Sequence, residues 1–204
     1  SIKDKLAIGI YQENTPEFLF ASFGTALSNS VLFAINTGFK GKTLANVINQ
    51  ARVSILIVSP DTAPEIRNCL SEIHVLLPGG VFIIGDAATA GEQGFACLEE
   101  AVYESGQKPP ASSTAPMDNT SPVLVMYTSG TTGMPKGVPC THLKMIGAGF
   151  VVQSAVHLTQ KDRGYICMPL FHSNAWYIGI LPTMLAGSSF VLKRNFSASA
   201  FEED

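Results

Sequence analysis

Short apolar runs alternate with helically spaced segments along the first half of the chain. LAIGI at 6–10 is strand-like. Asn14-Thr15-Pro16-Glu17 follows with a cap, a first-turn proline and an early acid, the marks of a helix start. That helix is expected to run to about Asn29 and give way to VLFAI at 31–35. Gly41-Lys42-Thr43 opens a second helix through Ala51, and VSILIV at 53–58 reads as a buried, β-branched strand. Asp61-Thr62-Ala63-Pro64 starts a third helix, and VFIIG at 81–85 closes the series. This β-α-β-α-β rhythm predicts an α/β fold of mostly parallel sheet layers flanked by helices.

The signal weakens between Ala87 and Pro122. Residues 105–122, SGQKPPASSTAPMDNTSP, are rich in Pro, Ser and Thr and read as an exposed connector, a crossover within one domain in preference to a linker between two. Regular structure is expected again in PVLVMY, in a helix from about Thr141 to Val156, and in a strand at YICMPL. A helix at Ala175–Leu185 and a strand at SSFVL (188–192) complete the pattern.

Composition narrows the class. Of 204 residues 46% are hydrophobic and 14% charged, with a mean hydropathy of +0.24, so the interior is well buried or part of the surface is covered by more of the same protein. A net charge of -3 and the lack of any Lys/Arg cluster argue against nucleic acid and give no case for an anionic membrane. Cys69, Cys97, Cys140 and Cys167 show no metal-ligand spacing and read as reduced, mostly buried thiols of a cytosolic protein. No basic stretch with a following apolar run marks a signal peptide. Uncharged stretches at 18–39 and 164–192 are long enough to span a bilayer. Their Ser, Asn, Pro and Gly content fits buried strand–helix–strand units instead.

Directly behind PVLVM comes YTSGTTGMPKGV, residues 127–138. Glycines let backbone N–H groups converge on an anion, hydroxyls donate to phosphate oxygens, and Lys136 adds a positive charge. A tight strand-to-helix turn with solvated hydroxyls is the other reading. The letters do not make a P-loop of the GxxxxGK[ST] type, because Pro135 precedes the lysine and Gly137 follows it; nor do they make GxGxxG.

At every position YTSGTTGMPKGV resembles the phosphate loop of the adenylate-forming superfamily, which includes acyl-CoA synthetases, aryl-CoA ligases, luciferases and peptide-synthetase adenylation domains. The resemblance implies that Thr128, Ser129, Gly130, Thr131, Thr132, Gly133 and Lys136 grip the β- and γ-phosphates of ATP. A Mg²⁺ beside them lowers the charge facing the attacking carboxylate, with Thr132 the candidate neighbour. DKLAIGIYQENTPEFLF resembles the family's early strand and "N-x-P-E-F" helix, and Thr141-His142 the "TH" that opens the helix behind the loop.

DRGYICMPLFHSNAW is similar to the family motif ending in "PLFH", which implies that Phe171 and His172 border the acyl pocket. HSNAW resembles the segment of long-chain fatty acyl-CoA synthetases whose tryptophan gates an acyl tunnel, adding Asn174 and Trp176 to the substrate side. Trp176 as core filling stays open beside that. LKRNFSASAFEED resembles a segment of fatty-acid-transport and carnitine-type CoA ligases, pointing to a fatty or other aliphatic acid, with aryl acids and a carnitine-like acid left open.

The resemblance therefore implies part of an ATP-dependent acyl-CoA ligase, with ATP, Mg²⁺ and CoA as cofactor and co-substrates and a small carboxylic acid as partner. Residues 1–204 are expected to form an incomplete large N-terminal domain: 1–104 a first α/β portion, 105–122 the connector, 123–204 the portion with the phosphate loop and acyl motif. No counterpart of the family's later motifs or of its C-terminal domain is found, so the chain by itself is expected to be inactive. The alternatives are an adenylation domain that loads a carrier protein, and a non-catalytic nucleotide- or acyl-binding half that needs a partner chain. A cytoplasmic location is expected, with peripheral membrane association and oligomeric state left open.

Overall fold

The computed structural model describes residues 5–106, 118–128, 133–199 and 201. Strand β1 (Ala7–Tyr11) leads into α1 (Pro16–Leu27), whose N-cap Thr15 accepts from the Phe18 amide and whose first turn holds Pro16 and Glu17. There follow β2 (Val31–Ala34), α2 (Gly41–Ala51), β3 (Ile55–Val58), α3 (Ala63–Cys69) and β4 (Val81–Ile83). The weakly patterned stretch beyond β4 holds α4 (Ala87–Gln93), the two-residue β5 (Ala96–Cys97) and α5 (Leu98–Glu104). Elements this short span too few residues to show a period.

Next come β6 (Pro122–Thr128) and β7 (Lys136–Thr141), with α6 (His142–Ala155) capped at once by the Thr141 hydroxyl. Strand β8 (Arg163–Ile166), a π-helical turn (Ala175–Ile180), α7 (Leu181–Leu185) and β9 (Ser189–Leu192) complete the order.

Seven strands form one sheet in the order β5-β4-β3-β1-β2-β6-β7, and β8 and β9 form a small parallel sheet of their own. Strands β1 to β6 are mutually parallel, so their carboxyl ends share one edge. Both faces of this sheet are covered, which is why its strands read as unbroken apolar runs. Phe33, Tyr11 and Leu56 pack with Leu44, Ile48 and Ile66 of α2 and α3 on one face. Leu32, Ile10 and Leu124 pack with Phe18, Met145 and Trp176 on the other. Of the connector expected at 105–122, residues 107–117 lie outside the described residues; β6, which follows it, joins the same sheet as β1–β5.

Three expectations are corrected. An unannounced strand lies between the glycine-rich loop and the helix expected from about Thr141, which is present as α6: β7 runs back antiparallel to β6, from Thr128 opposite Lys136 to Pro122 opposite Thr141. Pro139 hides this strand in the sequence; an outermost, largely exposed strand tolerates a residue that cannot donate to a ladder. The strand expected over YICMPL stops at Ile166, because Pro169 lacks an amide and a side chain from another element claims the Leu170 N–H. The single helix expected at Ala175–Leu185 is a π-helical turn followed by α7; Pro182 interrupts the regular hydrogen-bond ladder there.

No helix among the described residues is long and apolar enough to cross a membrane. All four cysteines are free; Cys69, Cys97 and Cys140 are buried and Cys167 half-buried.

Helices α6 and α7 approach closely at Gly149, where a Cβ would lie 2.6 Å from Leu181 Cβ and 3.2 Å from its carbonyl carbon. Backbone and Cβ atoms cannot rotate aside as a side-chain tip could. Gly149→Ala is therefore expected to destabilise the chain by about 1–3 kcal/mol despite alanine's better helix propensity, as read by urea unfolding.

Candidate functional site

The carboxyl edge of the large sheet is where both sequence motifs arrive. Strand β6 delivers Thr128 to that edge, exposed and opposite the exposed Lys136 that opens β7. Between them Gly133 has φ 88°, a left-handed conformation in which any side chain is strained. Ser129, Gly130, Thr131 and Thr132 lie outside the described residues. The glycine-rich stretch is thus the connection of an antiparallel pair at the rim of a parallel sheet. Gly137 keeps the start of β7 close to β6, since a Cβ there would meet Val125 Cγ1 at 3.0 Å.

The second motif reaches the same edge through Asn14, three residues beyond β1. This asparagine is buried, and its amide serves three backbone groups of the other sheet's connections. The Leu170 N–H donates to its Oδ1 at 2.7 Å, and its Nδ2 donates to the carbonyls of Met168 at 2.9 Å and Lys193 at 3.0 Å. Glu13, next to it, accepts from the Thr37 hydroxyl at 2.9 Å and, with the Asn195 amide oriented to satisfy its neighbours, from Asn195 at 3.2 Å. Arg194 pairs with Asp61 close by. Polar ties of the first sheet thus surround the exit of β9.

Beyond Leu170 the chain turns, with the His172 N–H donating to the Pro169 carbonyl at 2.9 Å. Phe171 is buried, and its ring lies 5.1 Å from that of the exposed His172. Asn174 is exposed just before the π-helical turn and borders a cavity of about 170 Å³ with Cys167, Met168 and Ile178.

Trp176 is 1% exposed, donates from Nε1 to the Leu170 carbonyl at 2.7 Å, and meets Phe23 edge-on at 6.3 Å between centroids. It also walls a different cavity of about 200 Å³, apolar and lined among others by Phe23, Leu32, Leu124, His142 and Met145. Trp176 therefore fills core and borders empty apolar space at once. The four substrate-side candidates are neighbours in the chain but do not line one common cavity, and Phe171 and His172 border neither of these two.

Sequence reasoning passed over Asn14, which it took only as a cap, and over His142 and Met145 as cavity walls. A buried asparagine's partners lie far away in sequence, so only an asparagine flanked by apolar strand and helix start hinted at it. Tyr177, half-buried, donates its hydroxyl to Cys140 Sγ at 2.9 Å; burial, then the contact with Cys140, pushes its phenol well above the ordinary range. Among the described residues no group of three or more His, Cys, Asp or Glu could hold a metal ion.

Comparison with known proteins returns one family. The family model described as AMP-binding enzyme matches residues 2–203. A crotonobetaine/carnitine–CoA ligase from Salmonella agona is 32% identical over 196 residues, covering 95% of this chain and 37% of that protein. Among solved structures, a long-chain-fatty-acid–CoA ligase from Archaeoglobus fulgidus superposes with a TM-score of 0.78 at 22% identity, over 97% of this chain and 37% of the other. ATP-bound MatB from Rhodopseudomonas palustris does so with 0.74 at 18% identity, over 98% and 37%. At these identities the structural likeness shows the fold. The chain spans about 37% of the length of the curated relatives it matches.

His142 offers a pH test of the cavity wall. Burial, then the positive charge of Lys5, holds its imidazole below the ordinary value of 6.5, with Asp118 pulling the other way. A lowered folded-state value means the unfolded chain takes up the proton more readily. The stabilisation is whole above about pH 6.5 and is lost as the pH falls below it. Urea midpoints at pH 7.5 and 5.5 should differ less in His142→Gln than in the unaltered chain.

Proposed function

Because the chain belongs to the AMP-binding enzyme family, we propose that it supplies the phosphate grip and the acid-facing corner of an ATP-dependent acid–CoA ligase. In this reading a carboxylate attacks the α-phosphorus of ATP, forming acyl-AMP and releasing pyrophosphate. The CoA thiol then attacks the acyl carbon and AMP leaves. The observation that carries the reading is the meeting of two motifs at one sheet edge: the glycine-rich connection between β6 and β7, and the Phe171–His172 corner tied to the end of β1 by Asn14.

The roles follow from donor chemistry. The hydroxyls of Thr128, Ser129, Thr131 and Thr132 and the amides of Gly130 and Gly133 are suited to β- and γ-phosphate oxygens, and Lys136 supplies the balancing charge. Mg²⁺ prefers oxygen ligands and enters with the triphosphate, so a loop hydroxyl, Thr132 here, is a fitting protein donor. When bound, it would lower the negative charge that the carboxylate must approach. The substrate carboxylate is already ionised near neutral pH, so His172 is assigned to bordering the acyl group and not to proton removal. Asn174 and Trp176 complete the acid side. A fatty or other aliphatic acid suits the apolar walls around Trp176, and two of the similar proteins are named as ligases of crotonobetaine or carnitine and of long-chain fatty acids.

Positioning and charge stabilisation act only when all parts are assembled. The 204-residue chain alone should therefore release no pyrophosphate in response to added acids, and acid-dependent release would overturn this division of labour. In a ligase carrying this segment, Lys136→Ala should slow acyl-AMP formation by about a hundredfold or more, as expected for losing a charge-stabilising donor. Unchanged pyrophosphate release would remove Lys136 from the site. Trp176→Ala should shift chain-length preference in the same ligase, and an unaltered profile would leave Trp176 as core filling only.

A further inference from the structure

We propose that Asn14 is a positioning residue whose side chain fixes the Phe171–His172 corner against the large sheet. Its meaning for substrate rests on the acyl-pocket reading above; the clamp itself does not. The side-chain amide of Asn14 is 4% exposed and spends its acceptor and donors on Leu170 N–H, Met168 O and Lys193 O. Those groups flank the place where β8 and β9 leave their two-stranded sheet, just past the Lys193 N–H···O bond to Ile166 at 2.8 Å. One amide therefore holds both exits.

The peptide at Leu170 is then held from its other side as well. Its N–H goes to Asn14 and its carbonyl accepts from Trp176 Nε1 at 2.7 Å. Phe171 and His172 hang from this doubly held unit, with the His172 N–H closing a turn on Pro169. No other residue type of this size offers an acceptor and two donors in one plane. Aspartate would keep the acceptor for Leu170, lose both donors, and set a negative charge against two carbonyl oxygens. Alanine would take the partner from all three backbone groups and leave the buried Leu170 N–H unpaired.

A residue that merely seals the fold would weaken every region together. A positioning residue should release this corner first. The test uses hydrogen exchange together with Trp176, the single tryptophan of the chain and a direct contact of Leu170. In the unaltered chain the Leu170 amide, although outside any helix or strand, should exchange as slowly as core amides such as Leu56; fast exchange there would overturn the proposal without any variant. In Asn14→Asp and Asn14→Ala, protection at Leu170 should fall about tenfold or more beyond the loss at Leu56, and acrylamide should quench Trp176 more readily. Equal losses at both amides would reduce Asn14 to a general stabiliser and sink the idea.

In a ligase carrying this segment, Asn14→Asp should raise KM for the acid while KM for ATP stays unchanged. If Leu170 loosens but KM for the acid does not move, the clamp is upheld and the assignment of the corner to the acid falls instead.

Discussion

The arrangement depends on one buried amide. Asn14 joins the end of β1 to the connections of a second sheet as a buried tie, whereas the neighbouring pairs of Arg194 with Asp61 and of Asn195 with Glu13 involve exposed side chains and the rest of the joint is apolar contact. Apolar contact is not directional, so it leaves register and tilt undetermined. Three hydrogen bonds to fixed backbone groups supply that direction. Each contributes on the order of 1 kcal/mol net, but leaving the buried Leu170 N–H or the Asn14 amide unpaired costs about 1–3 kcal/mol. The asymmetry makes the joint specific and not merely adhesive.

Parallel topology explains why chemistry gathers where it does. Six parallel strands must present all their carboxyl ends along one edge, where connecting loops are free to vary while both faces stay sealed by helices. The glycine-rich connection adds a refinement by departing from that pattern. By turning back as β7 it ends the sheet on an exposed strand bearing Lys136 and Pro139, a poor template for further pairing. The connection proposed to grip an anion and a guarded edge thus belong to the same strand pair.

The parts of the fold that were legible in the sequence are those set by local chemistry. Thr15-Pro16-Glu17 marks the start of α1, and the apolar runs of β1, β2, β3 and β6 announce strands buried on both faces, because nothing distant is needed to read them. Strand β7 escaped because Pro139 looks like a strand breaker until the strand's place at the rim is known. The end of β8 escaped because the competitor for the Leu170 amide lies 156 residues away. At the candidate site, letters alone nominate the loop hydroxyls and Lys136. They do not tell that Trp176 and Asn174 face different cavities, which depends on how a π-helical turn rotates successive side chains.

The separation of Asn14 from its partners also bears on how the molecule comes into being. Its amide waits for groups 154, 156 and 179 residues further along. At about 5–20 residues per second, a ribosome needs on the order of ten to forty seconds to cover the longest of these spans. Through that interval the emerging β1, β2 and β3 can already pair, while the polar group at their edge stays hydrated and keeps the second sheet's docking surface wet. Only when Lys193 is made can water leave. The joint between the sheets therefore cannot close until β9 has emerged, well after β1, β2 and β3.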